Sequence, residues 1–211
     1  MRSIADPPPR AAVARFEAGF GQRFLLSVDA SDEAWLSAFL AFCESEGVVA
    51  LVGPGEGNLD ASVRPKFDCR AEGGPDYRRH SLVPYWLDEA RTRLEAPLTT
   101  TFWGLLRRQG DWLYPAVERR ARLRRLLAKL SLLDRIPLDP QGVSVEDAIR
   151  SIDMALDDGL PLLVFTCRLP PAGEQARFDD LCDWWERVFA YLDLRQVRPA
   201  SAAEVLQAVR P

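Results

Sequence analysis

Residues 23–52 carry a strand, a helix and a second strand joined by short segments, and no other feature narrows the fold as far. The run R-F-L-L-S-V at 23–28, ending in Asp29, is compact and apolar enough for a buried strand. Trp35, Phe39 and Cys43 then recur four apart with Leu36 and Leu40 beside them. Ser31 or Asp32 caps that helix and Gly47 closes it. Residues 48–52 form the second strand. A helix that links two strands carries the chain back to the end of the sheet where it began, so the two strands are parallel neighbours. Asp29 therefore falls at the carboxyl end of a parallel strand, where α/β proteins place their sites.

The rest of the chain repeats the alternation. Residues 160–167 (L-P-L-L-V-F-T-C) are the strongest strand, ended by Arg168-Leu169-Pro170-Pro171. Ser144 caps an amphipathic helix over 145–156, and a helix over about 174–192 carries Trp184, Trp185 and Phe189. An extended piece at 196–198 and a helix over 202–209 follow. Residues 94–102 are a Thr-rich strand, and 59–63 a short β-like run stopped by Pro65. Residues 1–20 read as an extended Pro- and Ala-rich lead with a short helix at 11–18, and 21–211 as one domain. The expected class is α/β with a mainly parallel sheet of five to six strands, short of an eight-fold barrel.

Composition limits the chemistry. A net charge of −4 argues against a dedicated nucleic-acid binder. The four cysteines (Cys43, Cys69, Cys167 and Cys182) form no C-x-x-C pair, so a disulfide framework is not expected. The first ten residues lack the apolar core of a signal peptide, and no apolar run reaches membrane-spanning length, which reads as cytoplasmic. With His80 the only histidine, the common two-histidine zinc sites cannot be assembled from one chain. The Gly-rich joint at 53–57 lacks the Lys-Ser/Thr of a P-loop.

The loop-rich stretch at 58–87 concentrates Arg, Asp and aromatic residues around a Gly-Gly-Pro-Asp turn at 73–76, the composition of a site held by a rigid scaffold. Farther on, Pro115 opens a helix in which Arg119, Arg120, Arg122, Arg124, Arg125 and Lys129 are basic. That face suits an anionic partner, or else is the solvated side opposite Leu123, Leu126, Leu127 and Leu130.

Several segments together resemble the polysaccharide deacetylase (NodB-homology) family of carbohydrate esterases. They are R-F-L-L-S-V-D at 23–29, F-C-E-S-E-G-V at 42–48, D-A-S-V-R-P-K-F-D at 60–68 with its Gly-Gly-Pro-Asp loop, L-E-A-P-L-T at 94–99 and L-P-L-L-V-F-T-C-R at 160–168. The resemblance implies an incomplete or deformed (β/α) barrel. It also implies a zinc or other divalent ion held by an Asp and two His, with a catalytic Asp after the first strand and a catalytic His after the last long one. Asp29 stands at the position of the catalytic Asp. Ala30 and Ser31 stand where a metal-binding carboxylate is expected, the His pair has no counterpart, and Arg168 takes the place of the terminal His.

The expectation is thus a shortened member of carbohydrate metabolism without metal-dependent deacetylase activity and without a bound cofactor. Its cleft for a carbohydrate or acidic ligand would be lined by Asp29, Arg64, Asp68, Arg70, Asp76, His80, Trp86 and Arg168. The missing barrel segment favours a homo- or hetero-oligomer. Two alternatives stand beside it. One is an active metal-dependent hydrolase with a site shared across a dimer or built from Asp29, Asp32, Asp68 and His80; the other is an interaction module acting through the basic helix at 119–129.

Overall fold

The computed structural model describes residues 15–29, 33–52, 63–66, 84–86, 94–97, 99, 119–120, 122–123, 126 and 142–210. Its centre is the strand β2 (Arg23–Asp29); a two-residue strand β1 (Arg15–Phe16) precedes it. A 3-10 turn at Glu33–Trp35 leads into helix α1 (Leu36–Ser45), and β3 (Ala50–Val52) follows. β3 lies parallel to β2 with Leu26 opposite Ala50, which is the crossover unit expected from the sequence.

β7 (Leu162–Arg168) lies parallel along the whole other edge of β2, from Arg23 opposite Leu162 to Asp29 opposite Arg168. Helix α2 (Val145–Asp157) precedes it and α3 (Gln175–Leu194) follows. The short strand β8 (Arg198–Pro199) then pairs with Arg23 and Phe24. Because β7 fills one edge, β8 and β3 share the other, β8 at the amino end of β2 and β3 at its carboxyl end. The result is an open, all-parallel four-stranded sheet.

β2 is buried on both faces, which is why it reads as a near-continuous apolar run. Phe24, Leu26 and Val28 face a core built from Leu163, Phe165 and Cys167 of β7 and from α1, α2 and α3, including Phe39, Ile152 and Trp185. Burying a side chain such as Phe39 or Phe165, both at most 2% exposed, is worth roughly 1.5–3 kcal/mol. Leu25 faces a second core with Leu162, Val164, Leu94, Ala96 and Val205. The ends of the covering helices are set locally. Ser144 Oγ accepts the Asp147 N–H at the start of α2, and Gly47 (φ +70°) and Gly159 (φ +71°) take the left-handed turn that stops α1 and α2. Tyr191 of α3 donates to Asp153 of α2 at 2.6 Å, and Arg195 pairs with the same carboxylate, tying the two helices together.

A second sheet has β6 (Leu94–Pro97) at its centre, parallel to β4 (Val63–Lys66) and antiparallel to β5 (Tyr85–Trp86). Two residues beyond β6, Thr99 donates its N–H to the Val164 carbonyl at 2.9 Å, while its Oγ1 accepts the Val164 N–H at 2.8 Å. The chain leaving β6 thereby reaches the edge of β7 that β2 does not use. The chain ends in α4 (Ala202–Ala208), opened by a capping box between Ser201 and Glu204, and β9 (Val209–Arg210), which pairs antiparallel with β1.

The α/β class holds, with a parallel sheet of four strands beside a mixed one of three, but no closed barrel forms among the described residues. Three local expectations change. Arg15–Phe16 is strand where a helix is expected at 11–18, because it pairs with β9 at the far end of the chain. Pro65 lies inside β4 and does not stop it; β4 is an edge of its three-stranded sheet, where a missing N–H is tolerated. Leu126, assigned by periodicity to a buried face, is 51% exposed, while Leu123 is half-buried.

Candidate functional site

Side chains alternate along a strand, so Leu25, Ser27 and Asp29 of β2 share one face, as do Leu162, Val164, Thr166 and Arg168 of β7. In register, Leu25 lies opposite Val164, Ser27 opposite Thr166 and Asp29 opposite Arg168. One sheet face thus passes from apolar to polar toward the carboxyl ends of two adjacent parallel strands, the end at which open α/β sheets bind ligands.

At the tip, Arg168 Nε stands 3.9 Å from Asp29 Oδ2, with the Arg168 side chain 70% exposed and that of Asp29 36%. The separation permits Coulombic attraction but lies beyond hydrogen-bond range. An exposed pair of this kind contributes on the order of 0–1 kcal/mol to stability. Its interest is chemical: a carboxylate that accepts hydroxyl protons sits beside a planar guanidinium suited to a carboxylate or phosphate.

Directly below, Ser27 is fully buried, and its Oγ has no hydrogen-bond partner among the described residues. Thr166 beside it is 4% exposed. A buried hydroxyl without a partner costs about 1–3 kcal/mol. Sequence reasoning missed Ser27 and Thr166. The one signal was polar residues at matching steps of two otherwise apolar runs, two positions before Asp29 and Arg168.

Trp35 positions the rim. Its Nε1 donates to the Pro171 carbonyl at 3.1 Å, and its ring stacks on Phe178 with centroids 4.6 Å apart. The segment after β2 is thereby fixed to the segment after β7. Periodicity assigned Trp35 to the helix's core stripe; it is half-buried and spans two loops.

Of the residues named from the sequence, the structure brings Asp29 and Arg168 together. Arg64 and Trp86 belong to β4 and β5, the strands that flank β6. Asp32, Asp68, Arg70, Asp76 and His80 lie outside the described residues, as do the Gly-rich joint at 53–57 and Arg124, Arg125 and Lys129 of the basic segment. Arg119, Arg120 and Arg122 are exposed.

The donors at the tip do not fit a divalent metal. A cation bound by Asp29 would face the Arg168 guanidinium, whose nearest nitrogen is 3.9 Å from the carboxylate, and like charges at such range repel. Among the described residues no group of three or more His, Cys, Asp or Glu could hold a metal ion. The thiols among the described residues are poor nucleophiles: burial pushes Cys43 from 9.0 up to about 12 and Cys182 up to about 11, and the buried Cys167 sulfur lies 3.2 Å from the Trp185 indole nitrogen. Among the described residues no helix is long and apolar enough to cross a membrane. No family model, curated protein or solved structure matches the chain, so the family likeness rests on the residues quoted for it.

Proposed function

We propose that this chain is a shortened, polysaccharide-deacetylase-like protein that binds a carbohydrate or acidic ligand at the carboxyl ends of β2 and β7 and does not catalyse metal-dependent deacetylation. The observation that carries the reading is the Asp29–Arg168 pair, two residues far apart in the chain and opposite each other in register. Removing an acetyl group requires a base, an electrophile for the carbonyl and an acid for the leaving amine. Asp29 is chemically competent as the base. Arg168, always charged, neither gives up a proton as a general acid nor shares a carboxylate with a metal ion. What remains is recognition: hydroxyl groups by Asp29, an anionic group by Arg168.

Calorimetric titration with neutral and acidic oligosaccharides, repeated with zinc and with manganese, tests this alongside an acetate-release assay on N-acetylated sugars. Binding that needs no metal, with no acetate released, is the expected result. Metal-dependent acetate release would replace this reading with that of a hydrolase whose site uses residues beyond the pair.

A second reading draws on the exposure of Arg119, Arg120 and Arg122 together with Leu126 at 51%. A basic surface carrying an exposed leucine suits an acidic protein partner. If Arg119→Ala, Arg120→Ala and Arg122→Ala together leave every co-purifying partner in place, that reading fails.

A further inference from the structure

Two exposed surfaces of the chain match each other. Helix α3 buries Phe178, Leu181, Trp185, Val188 and Leu192 on one face. Its opposite face is exposed and carries Asp183, Glu186, Ala190 and Leu194 at the three- and four-residue steps of a single helical stripe. Among the described residues Asp183 and Glu186 make no ion pair, while Arg177 and Arg195, at the two ends of the helix, are engaged by Glu174 and Asp153. Arg187 is the only other basic residue of α3, against Asp179, Asp180, Asp183 and Glu186, so the stripe is acidic in its middle and apolar at its end.

The basic segment has the same design with the sign reversed. Arg119, Arg120 and Arg122 are exposed, residues 122, 123 and 126 are helical, and Leu126, one turn beyond Arg122, is 51% exposed. Three large hydrophobic side chains are exposed among the described residues, and two of them, Leu126 and Leu194, each follow such a charged stretch. A single exposed leucine is ordinary, but two that stand at matching steps from opposite charges suit one contact that covers both. Both surfaces are exposed in the folded chain, so neither covers the other within one molecule.

We propose that the chain associates with a second copy of itself, the basic segment at 119–126 of each copy lying along α3 of the other. The acidic protein partner of the second reading above, on which this rests, is thereby α3 of another copy. With the two helical segments side by side, Arg122 meets Glu186 while Leu126 covers Ala190 and Leu194, and Arg119 and Arg120 lie toward Asp183. A two-fold axis makes both contacts at once. The charges set the register, and the leucines supply the apolar area that leaves water. Contacts this small hold weakly, with a dissociation constant of roughly 10–100 µM.

Sedimentation velocity of the full chain over a concentration series, at about 0.1 M and about 1 M sodium chloride, tests this, because the screening length falls from about 10 Å to about 3 Å between them. Two variants reverse one surface each: Arg119→Glu with Arg122→Glu, and Asp183→Arg with Glu186→Arg. All four positions are exposed, so both variants should melt within about 1 °C of the wild type. The wild type should self-associate, about ten-fold or more weakly at the higher salt, and each variant alone should stay monomeric. An equimolar mixture of the two variants should associate, since each reversed surface then meets its complement on the other. A wild type that stays monomeric at every concentration overturns the inference, and the co-purification test above decides the acidic-partner reading separately. Variants whose mixture stays monomeric overturn it as well. So does association that survives either reversal; survival of the acidic reversal alone removes α3 and leaves the basic surface with a different partner.

Discussion

Two buried hydroxyls, one within the central sheet and one at its β7 edge, should respond in opposite ways to removal. Ser27 Oγ is fully buried without a hydrogen-bond partner among the described residues, whereas Thr99 Oγ1 accepts the Val164 N–H at 2.8 Å. Replacing Ser27 by Ala removes a group whose burial costs about 1–3 kcal/mol. The void left is about the size of one oxygen, which at roughly 24 cal/mol per Å³ returns only a few tenths of a kcal/mol. The net expectation is stabilisation by about 1 kcal/mol. An unfolding entropy near 2.1 cal/mol/K per residue, over the 211 residues of the chain, converts that to roughly +2 °C in melting temperature. Thr99→Val keeps the shape and removes the acceptor, stranding a buried N–H on β7. Destabilisation by about 1–3 kcal/mol, roughly 2–7 °C, is expected. Differential scanning calorimetry, with urea midpoints as a second measure, reads both variants. Should Ser27→Ala melt several degrees below the wild type, the Ser27 hydroxyl has a native partner and the reasoning fails.

Gln196 sits at φ +58° just past α3, in the left-handed position that glycine fills at Gly47 and Gly159. Gln196→Gly should therefore raise stability by up to about 1 kcal/mol, read as a higher urea midpoint at constant slope. The Ser201 backbone N–H and hydroxyl both bond the Glu204 carboxylate and hold it below its usual value of 4.5. A depressed carboxylate contributes stability above the unfolded value and loses it as pH falls through the folded one. Glu204→Gln should accordingly lower stability at neutral pH, where the charged carboxylate contributes, and flatten the loss of stability below about pH 4.5, while Gln still keeps part of the capping box. Cys43 and Cys182, raised to about 12 and about 11 by burial, should resist iodoacetamide in the native protein at pH 8 and react once it is unfolded in urea. Mass-spectrometric labelling decides the point; rapid native labelling of Cys43 would contradict its burial.

Much of the fold was legible because its signals are local. The apolar run at 23–28, the four-residue spacing of Trp35, Phe39 and Cys43, the Ser144 cap and the apolar strand before Arg168 each name an element without reference to the rest of the chain. The parallel pairing of β2 and β3 follows from the chain's path through α1. Asp29 was legible as the last residue of a parallel strand. Arg168 was legible as a strand-end residue, but not as the neighbour of Asp29, because nothing in either segment states their register.

Tertiary pairing decided the rest. β8 is two residues long and contains a proline; it is a strand because the edge of β2 below β3 is there to receive it. Arg15–Phe16 becomes strand only through Val209–Arg210 at the other end of the chain. Ser27 and Thr99 look alike in sequence, and only the placement of Val164 beside Thr99 gives one hydroxyl a partner. Periodicity and caps act over one or two turns of chain, so the sequence by itself determined which segments are helix or strand and which residues stand at their ends. Register, edge sharing and the satisfaction of buried polar groups depend on segments far apart in the chain, so only the folded structure made Ser27, Asp29, Thr166 and Arg168 neighbours.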